Sequence, residues 1–567
     1  MDRITKALLD DFAKEHSIEN LSEDKQFEHF SAFSMIRRHY SRNFNTDDVV
    51  LGGGGDTGID AIAIIVNNVL ITDIDQLEEL YVLNGYIEPV FIFVQSDRGA
   101  KFEGAKLGNV VYGIIDFFED VPKLVRSSQL QDIAQISDDI IAKYAASLRP
   151  ARCYVYYVTT GQTVTSADLS SRRQSAEQDL NNLSIFSRVE VSYIGSSELN
   201  QAYRQTRSPI SRTFNFDHRT EIPATEGVIA SAIGYLPFSE LKKLLTDESG
   251  EELLTNIFDD NIRDYQNGKP VNQAIGDTLR SDDSAKFVLM NNGITIIAKD
   301  LKTITSKWTV TDYQIVNGCQ TSNVLFENRN NIDDNVLVPV RVIHTTDERI
   351  KDLITKATNS QTEIKPDQFA SRFKFSRDLE TLFNSFDDPY KLFYERRDGQ
   401  YDRSGESKQR IVEPSTVLRS YAAIFREIPH ISTKNYRSIR DSIGDDYLSD
   451  NHKHLPYYYA AYAWFRLDQM FRGKLIAPAY KASRYHILMA ANLVINSGPK
   501  LYSNSAEIEK RAEAALKIIW DDVKSAEVFE KAIAVITDVT GGKLTSDVVR
   551  TEAVTNAIIK RLRHQQT

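Results

Sequence analysis

The chain is nearly free of cysteine. Cys153 and Cys319 are the two cysteines in 567 residues, too few for a disulfide framework and without the paired spacing of a zinc site. Such scarcity fits a reducing, cytosolic setting. Long apolar runs are missing too: none approaches the roughly 18 residues that a membrane-spanning helix needs. The opening "MDRITKALLDDFAKEHS" reads as an amphipathic helix without the layout of a signal peptide, so a cytoplasmic protein is expected. An excess of positive charge is also lacking. The formal net charge is -11, which excludes a body coated in basic surface and leaves room for a local basic groove. No internal repeat and no low-complexity tail stands out.

What is present is an ordinary globular composition, 41% hydrophobic and 26% charged. Single cores stop growing near ~250–300 residues, so two or three domains are expected. Residues 1–40 read as helical, and the spacing of Phe27, Phe30 and Phe33 in "EDKQFEHFSAFSMIRRHY" (residues 23–40) carries the apolar stripe, with Ser22 as N-cap. A stretch with Ile59, Ala61, Ala63 and Ile65 on one side, "VFIFVQ", "CYVYYVTTG" and "VEVSYIG" read as strands separated by helical stretches, an α/β pattern through residue 205. Asn67-Asn68 suits a tight hairpin turn. A polar, proline-containing stretch, "RQTRSPISRTFNFDHRTEIPATEG", breaks the pattern. A second α/β region follows, and from residue 400 the chain turns mostly helical. The expected domains are 1–210, 215–400 and 401–567.

The stretch "VVLGGGGDTGIDAIAIIVNNVLITD" (residues 49–73) holds Gly53, Gly55 and Gly58 in a G-x-G-x-x-G spacing. A dinucleotide fingerprint needs a helix after the glycines. Here a strand alternation follows, and no Gly-Lys-Ser/Thr is present, so the glycines read as a turn feeding a hairpin. Asp60 stands at the mouth of that strand. The strand "VFIFVQSD" ends in Gln95, Ser96 and Asp97. An acid on one strand and a polar-x-acid pair on the next can converge on one divalent cation. Mg²⁺ takes one or two carboxylates and keeps waters, and a bound metal activates water and neutralises charge on a phosphate. Glu28, on the preceding helix, offers a further acid.

A helix with Glu, Gly-x-Asp on a hairpin and Gln-x-Asp on the next strand resemble the PD-(D/E)xK restriction-endonuclease core. The resemblance implies an endonuclease-like α/β domain using Mg²⁺ or Mn²⁺, with Glu28, Asp60 and Gln95 at its motif positions; the expected ligands are Asp60 at the centre, Asp97 or Gln95 second, and Glu28 as an outer acid. The sequence departs from that pattern where Asp97 replaces the usual lysine. Lys101 or Lys106 would then have to reach back to activate water.

Further along, "MNNGITIIAKD", "YQIVNGCQTSNVLFEN" and "KATNSQTEIKPDQF" resemble the AIPR family, named for abortive infection and phage resistance. "GGGGDTGIDAIAI", "FIFVQSDRGAKFEGAKLGN" and "LFYERRDGQYDR" are similar to its flanking parts. The resemblance implies a bacterial anti-phage protein with a central α/β AIPR domain and a mostly helical C-terminal region. Physically, Asn291-Asn292-Gly293 and Asn317-Gly318 read as turns between strands. Gln314, Asn317, Gln320, Thr321, Asn359 and Gln361 gather amides and hydroxyls suited to nucleic acid or a nucleotide. Arg396 and Arg397 add phosphate-binding guanidinium groups. Cys319 reads as a buried small residue. The expected partners are nucleic acid, with DNA placed ahead of RNA, a second copy in a homodimer, and a regulatory protein. A non-catalytic binding or sensing module, or an RNase, stays open as the alternative.

Overall fold

The computed structural model describes residues 1–564 apart from 41, 53–56, 164–165, 248–249, 251–252, 255–256, 259–269, 360–365, 397–399, 402–403, 434–438, 440–441, 444–446, 497 and 543–545. The chain divides into two compact units, Met1–Glu363 with Arg397–Arg403, and Ile364–Arg396 with Ser404–Thr567.

The first unit opens with α1 (Arg3–Glu15) and α2 (Glu23–Ile36). Asp2 caps α1 by accepting from the amides of Ile4 and Thr5 at 2.8 and 3.0 Å, and Ser22 caps α2 through the Lys25 amide. The hairpin β1 (Ala61–Val66) and β2 (Val69–Leu70) turns on Asn67 and Asn68, both left-handed with φ of 49° and 65°, as a two-residue primed turn requires. Then follow α3 (Asp75–Asn84), β3 (Pro89–Asp97), α4 (Gly104–Phe117), α5 (Ser128–Ala142), β4 (Ala151–Thr159), α6 (Ala167–Asn181), β5 (Phe186–Ile194) and α7 (Ser196–Arg207). The sheet order is β2-β1-β3-β4-β5. β3, β4 and β5 run parallel, and β1 is antiparallel to both neighbours.

Strand alternation sorts this sheet into two cores. Ile62, Ile64, Phe91, Phe93, Cys153, Val155 and Tyr157 face α3 to α6. Ala61, Ala63, Ile92, Val94, Tyr154 and Tyr156 face α1, α2 and α7. Burial on both faces is why "VFIFV" and "VYYV" are unbroken apolar runs.

A second sheet of the same unit comprises β6 (Ser211–Asn215), β7 (His218–Glu221), β8 (Ala230–Pro237), β9 (Ile294–Ile304), β10 (Lys307–Asn317) and β11 (Leu337–His344), in the order β6-β10-β9-β11-β8-β7. Its helices are α8 (Phe238–Leu245), α9 (Pro270–Arg280), α10 (Phe287–Met290), α11 (Cys319–Glu327) and α12 (Glu348–Asn359). One face packs on a core that includes Leu241, Leu244, Val324 and Leu325. The other carries a small cluster of Ile297, Val316 and Ile343, against which Ile354 of α12 packs. The polar stretch expected to break the chain supplies β6 and β7. Both are short edge strands, where polar residues are tolerated because one side of the ladder faces water.

The second unit is mostly helical, with a two-stranded parallel ribbon of Phe393–Tyr394 and Ile411–Val412. Pro366–Asn384 already belongs to it, since Phe375, Leu379 and Phe383 sit in its core. Tyr457, Tyr458 and Tyr459 are buried there, and Tyr457 stacks on Tyr421 at 3.8 Å. His452 and His454 lie in a loop, His452 against the Tyr457 hydroxyl and His454 stacked on Phe375. Among the described residues no helix is long and apolar enough to cross a membrane. The chain is thus mixed α/β with a helical C-terminal region.

Candidate functional site

Asp60 lies one residue ahead of β1. Its amide donates to the Val94 carbonyl at 3.0 Å, which continues the β1–β3 ladder and sets Asp60 beside Gln95. By alternation Asp60, Gln95, Asp97 and Tyr157 share the face of Phe93 and Val155. They stand where the parallel strands β3 and β4 end, the side of an α/β sheet on which ligands commonly bind. The loop before Asp60 is shaped by Thr57 and Gly58, both left-handed, with φ of 56° and 80°. Gly53 and Gly55 lie outside the described residues.

Three groups set the electrostatics here. Ser96, between the two expected ligands, donates its amide and its hydroxyl to Asp60 Oδ2 at 2.6 and 2.8 Å. Lys106 reaches back from the first turn of α4 and donates to Asp97 Oδ2, while the Gly99 amide donates to Oδ1 at 2.8 Å. Burial pushes the Asp97 carboxyl up, but the Lys106 ammonium, the Gly99 amide and the Tyr157 hydroxyl outweigh it and hold Asp97 below its ordinary value. The same contact with Asp97 raises Lys106. The Tyr157 hydroxyl also accepts from the Glu103 amide at 3.2 Å, tying β4 to the start of α4.

The other expected members are dispersed. Lys101 is exposed in the turn before α4. Glu28 accepts from Lys25 at 2.6 Å, and its helix α2 packs on the opposite face of the sheet from Asp60, Gln95 and Asp97. Gln95 donates its side-chain amide to the Ser96 carbonyl at 3.0 Å. Among the described residues there is no group of three or more His, Cys, Asp or Glu able to hold a metal. Asp60 and Asp97 are two carboxylates on one face of the sheet, and a hydrated Mg²⁺ needs only one or two.

A second polar region forms where β9, β10 and β11 meet. Neither Asn-Gly turn is a hairpin: Asn291–Gly293 leads from α10 into β9, and Gly318 is the left-handed N-cap of α11. The two turns touch. A Cβ on Gly318 would come within 2.8 Å of the Gly293 carbonyl oxygen, and one on Gly293 within 2.6 Å of the Pro339 carbonyl oxygen. Asn291 fastens them by donating to Thr321 Oγ1 at 3.1 Å and accepting from the Gly293 amide at 2.8 Å. Gln314 accepts from buried Lys351 of α12. Asn317 ends β10, and Gln320 is in the first turn of α11. Cys319 is buried. Gln361, Arg397 and the side chain of Asn359 lie outside what is described. Arg396 belongs to the second unit, where it pairs with Glu380 at 2.9 Å.

Comparison with protein families matches residues 258–547, just over half of the chain, to the family described as AIPR protein. The chain belongs to the AIPR family. The matched AIPR region takes in β9 to β11 and most of the helical unit, and the whole first sheet lies outside it. Neither the curated proteins nor the solved structures gave a match.

Sequence reading missed Ser96, Tyr157 and Lys351. Ser96 was visible between Gln95 and Asp97. Tyr157 follows from strand parity once β4 is set beside β3. Lys351 carries no signal without the packing of α12 on the second sheet.

Proposed function

We propose that this AIPR protein acts in abortive-infection phage defence by hydrolysing phosphodiester bonds of nucleic acid at the end of its first sheet, through an endonuclease-like domain built on Asp60 and Asp97. The supporting observation is the contact of Lys106 with Asp97. A cation is delivered beside the carboxylate by the next helix, although the strand itself lacks a lysine.

Asp60 and Asp97 would hold a divalent cation, with Gln95 beside them. When bound, that ion supplies an activated water and neutralises charge on the phosphoryl group. Ser96 fixes the Asp60 carboxylate through two hydrogen bonds. Lys106, raised by Asp97, stays protonated at neutral pH. It is therefore suited to stabilise negative charge or orient water rather than to take a proton. Tyr157 and the Gly99 amide keep Asp97 ionised.

A second reading is favoured by the same contacts. Asp97 is already neutralised by Lys106, as befits a domain that grips nucleic acid without cutting it. The test is incubation of the full chain and its Asp60→Asn variant with plasmid, phage DNA and total RNA, in Mg²⁺, Mn²⁺ or EDTA. Metal-dependent cutting that falls at least ~100-fold in the variant is expected. Binding without cutting in every metal would transfer the assignment to the second reading.

A further inference from the structure

The register of the second sheet lines up three polar residues on neighbouring strands. Arg341 of β11 pairs with Thr295 of β9, and Thr295 pairs with Asn317 of β10. Paired residues share a face, and this one is the face of Ile297 and Ile343 rather than of the main core. The row crosses two interstrand spacings, roughly 10 Å. Among the described residues none of the three side chains has a hydrogen-bond or ionic partner. Thr295 is nevertheless only 4% exposed. A hydroxyl, a guanidinium and an amide on one face, without partners among the described residues, are together available to a ligand.

Two features adjoin the row. In the neighbouring row Gln314 pairs with Ile297 and accepts from Lys351, which brings a second cation to this face. Directly after Asn317, α11 begins on Gly318, which has no side chain to cap its first amides. The positive end-charge of that helix favours an anion there. Guanidinium and ammonium groups suit a phosphate, and an amide with a hydroxyl can hold either its oxygens or an attached sugar or base.

We infer that Arg341, Thr295 and Asn317 bind the phosphate-bearing end of a nucleotide, at a site separate from the carboxylates of the first sheet. The phosphate is the shared chemistry of two sources, a free nucleoside triphosphate and a nucleic-acid strand.

The experiment is calorimetric titration of the full chain in EDTA, which suppresses any metal-dependent cutting. The probes are pyrophosphate, the four ribonucleoside triphosphates and a 20-nucleotide single strand of DNA. At least one probe binds. Arg341→Ala weakens it tenfold or more, and Thr295→Val, which keeps shape and fold, weakens it several-fold with an unchanged unfolding midpoint. Binding of a triphosphate alone identifies the free nucleotide as the source, and binding of the strand alone identifies the nucleic-acid backbone. Absence of binding by every probe, or equal binding by wild type and both variants, overturns the inference.

Discussion

At the end of the first sheet both carboxylates are answered: Lys106 and the Gly99 amide satisfy Asp97, and Ser96 donates twice to Asp60. At the end of the second, Arg341, Thr295 and Asn317 stand in a row with no partner among the described residues. The two ends share a design, a mixed sheet with polar residues following apolar runs, and differ in whether the protein supplies the counter-groups. A site satisfied by its own residues is stable when empty, and a ligand must displace something to enter. A row without protein partners leaves its groups in place for a ligand, which need not displace any of the protein's own contacts. The first arrangement suits chemistry that must stay silent until triggered; the second suits a sensor.

The comparison can be broken most forcefully at Gly318. A methyl there meets the Gly293 carbonyl oxygen at 2.8 Å in a backbone with φ of +92°, so neither strain nor crowding can relax alone. Gly318→Ala is expected to destabilise the second sheet by about 2 kcal/mol or more and to abolish probe binding at the row. Differential scanning calorimetry reads the first effect. An unchanged melting profile would mean the two turns do not depend on each other.

A smaller effect sharpens the other side. Asp97 is held below its ordinary value of 3.8, so its ionised form stabilises the fold above that pH and the contribution fades as pH falls through the depressed value. Lys106 is partly exposed, with 42% of its side chain accessible, which limits the pair to at most about 1 kcal/mol. Asp97→Asn should lower the urea midpoint slightly at pH 7 and converge with wild type in acid. A gap that persists once pH has fallen well below the depressed value, where Asp97 is protonated in folded and unfolded chain alike, would assign the loss to packing instead.

Much of the first site was legible in the sequence. Two-residue periodicity places Gln95 and Asp97 on one face, Asp60 joins them only through the β1–β3 register, and the Asn67-Asn68 turn fixes where β1 ends. Glu28 was misjudged because a helix preceding a sheet can cover either face, and spacing within α2 does not say which. β6 and β7 were hidden because short edge strands such as "SRTFN" and "HRTE" have the composition of linkers. Arg341 was invisible for a different reason. "VPVRVI" announces a strand, but Arg341 meets Thr295 and Asn317 only through a parallel pairing and a register shift between Ile315 and Asn317. Non-local pairing of that kind leaves no local trace.

The central claim is that Asp60 and Asp97 form a divalent-cation site. Its most direct test is titration of the full chain with Mn²⁺, followed by electron paramagnetic resonance. One bound Mn²⁺ per chain, lost in Asp60→Asn and weakened in Asp97→Asn, is the predicted result. Equal Mn²⁺ uptake by wild type and both variants, or none by any of them, would contradict it.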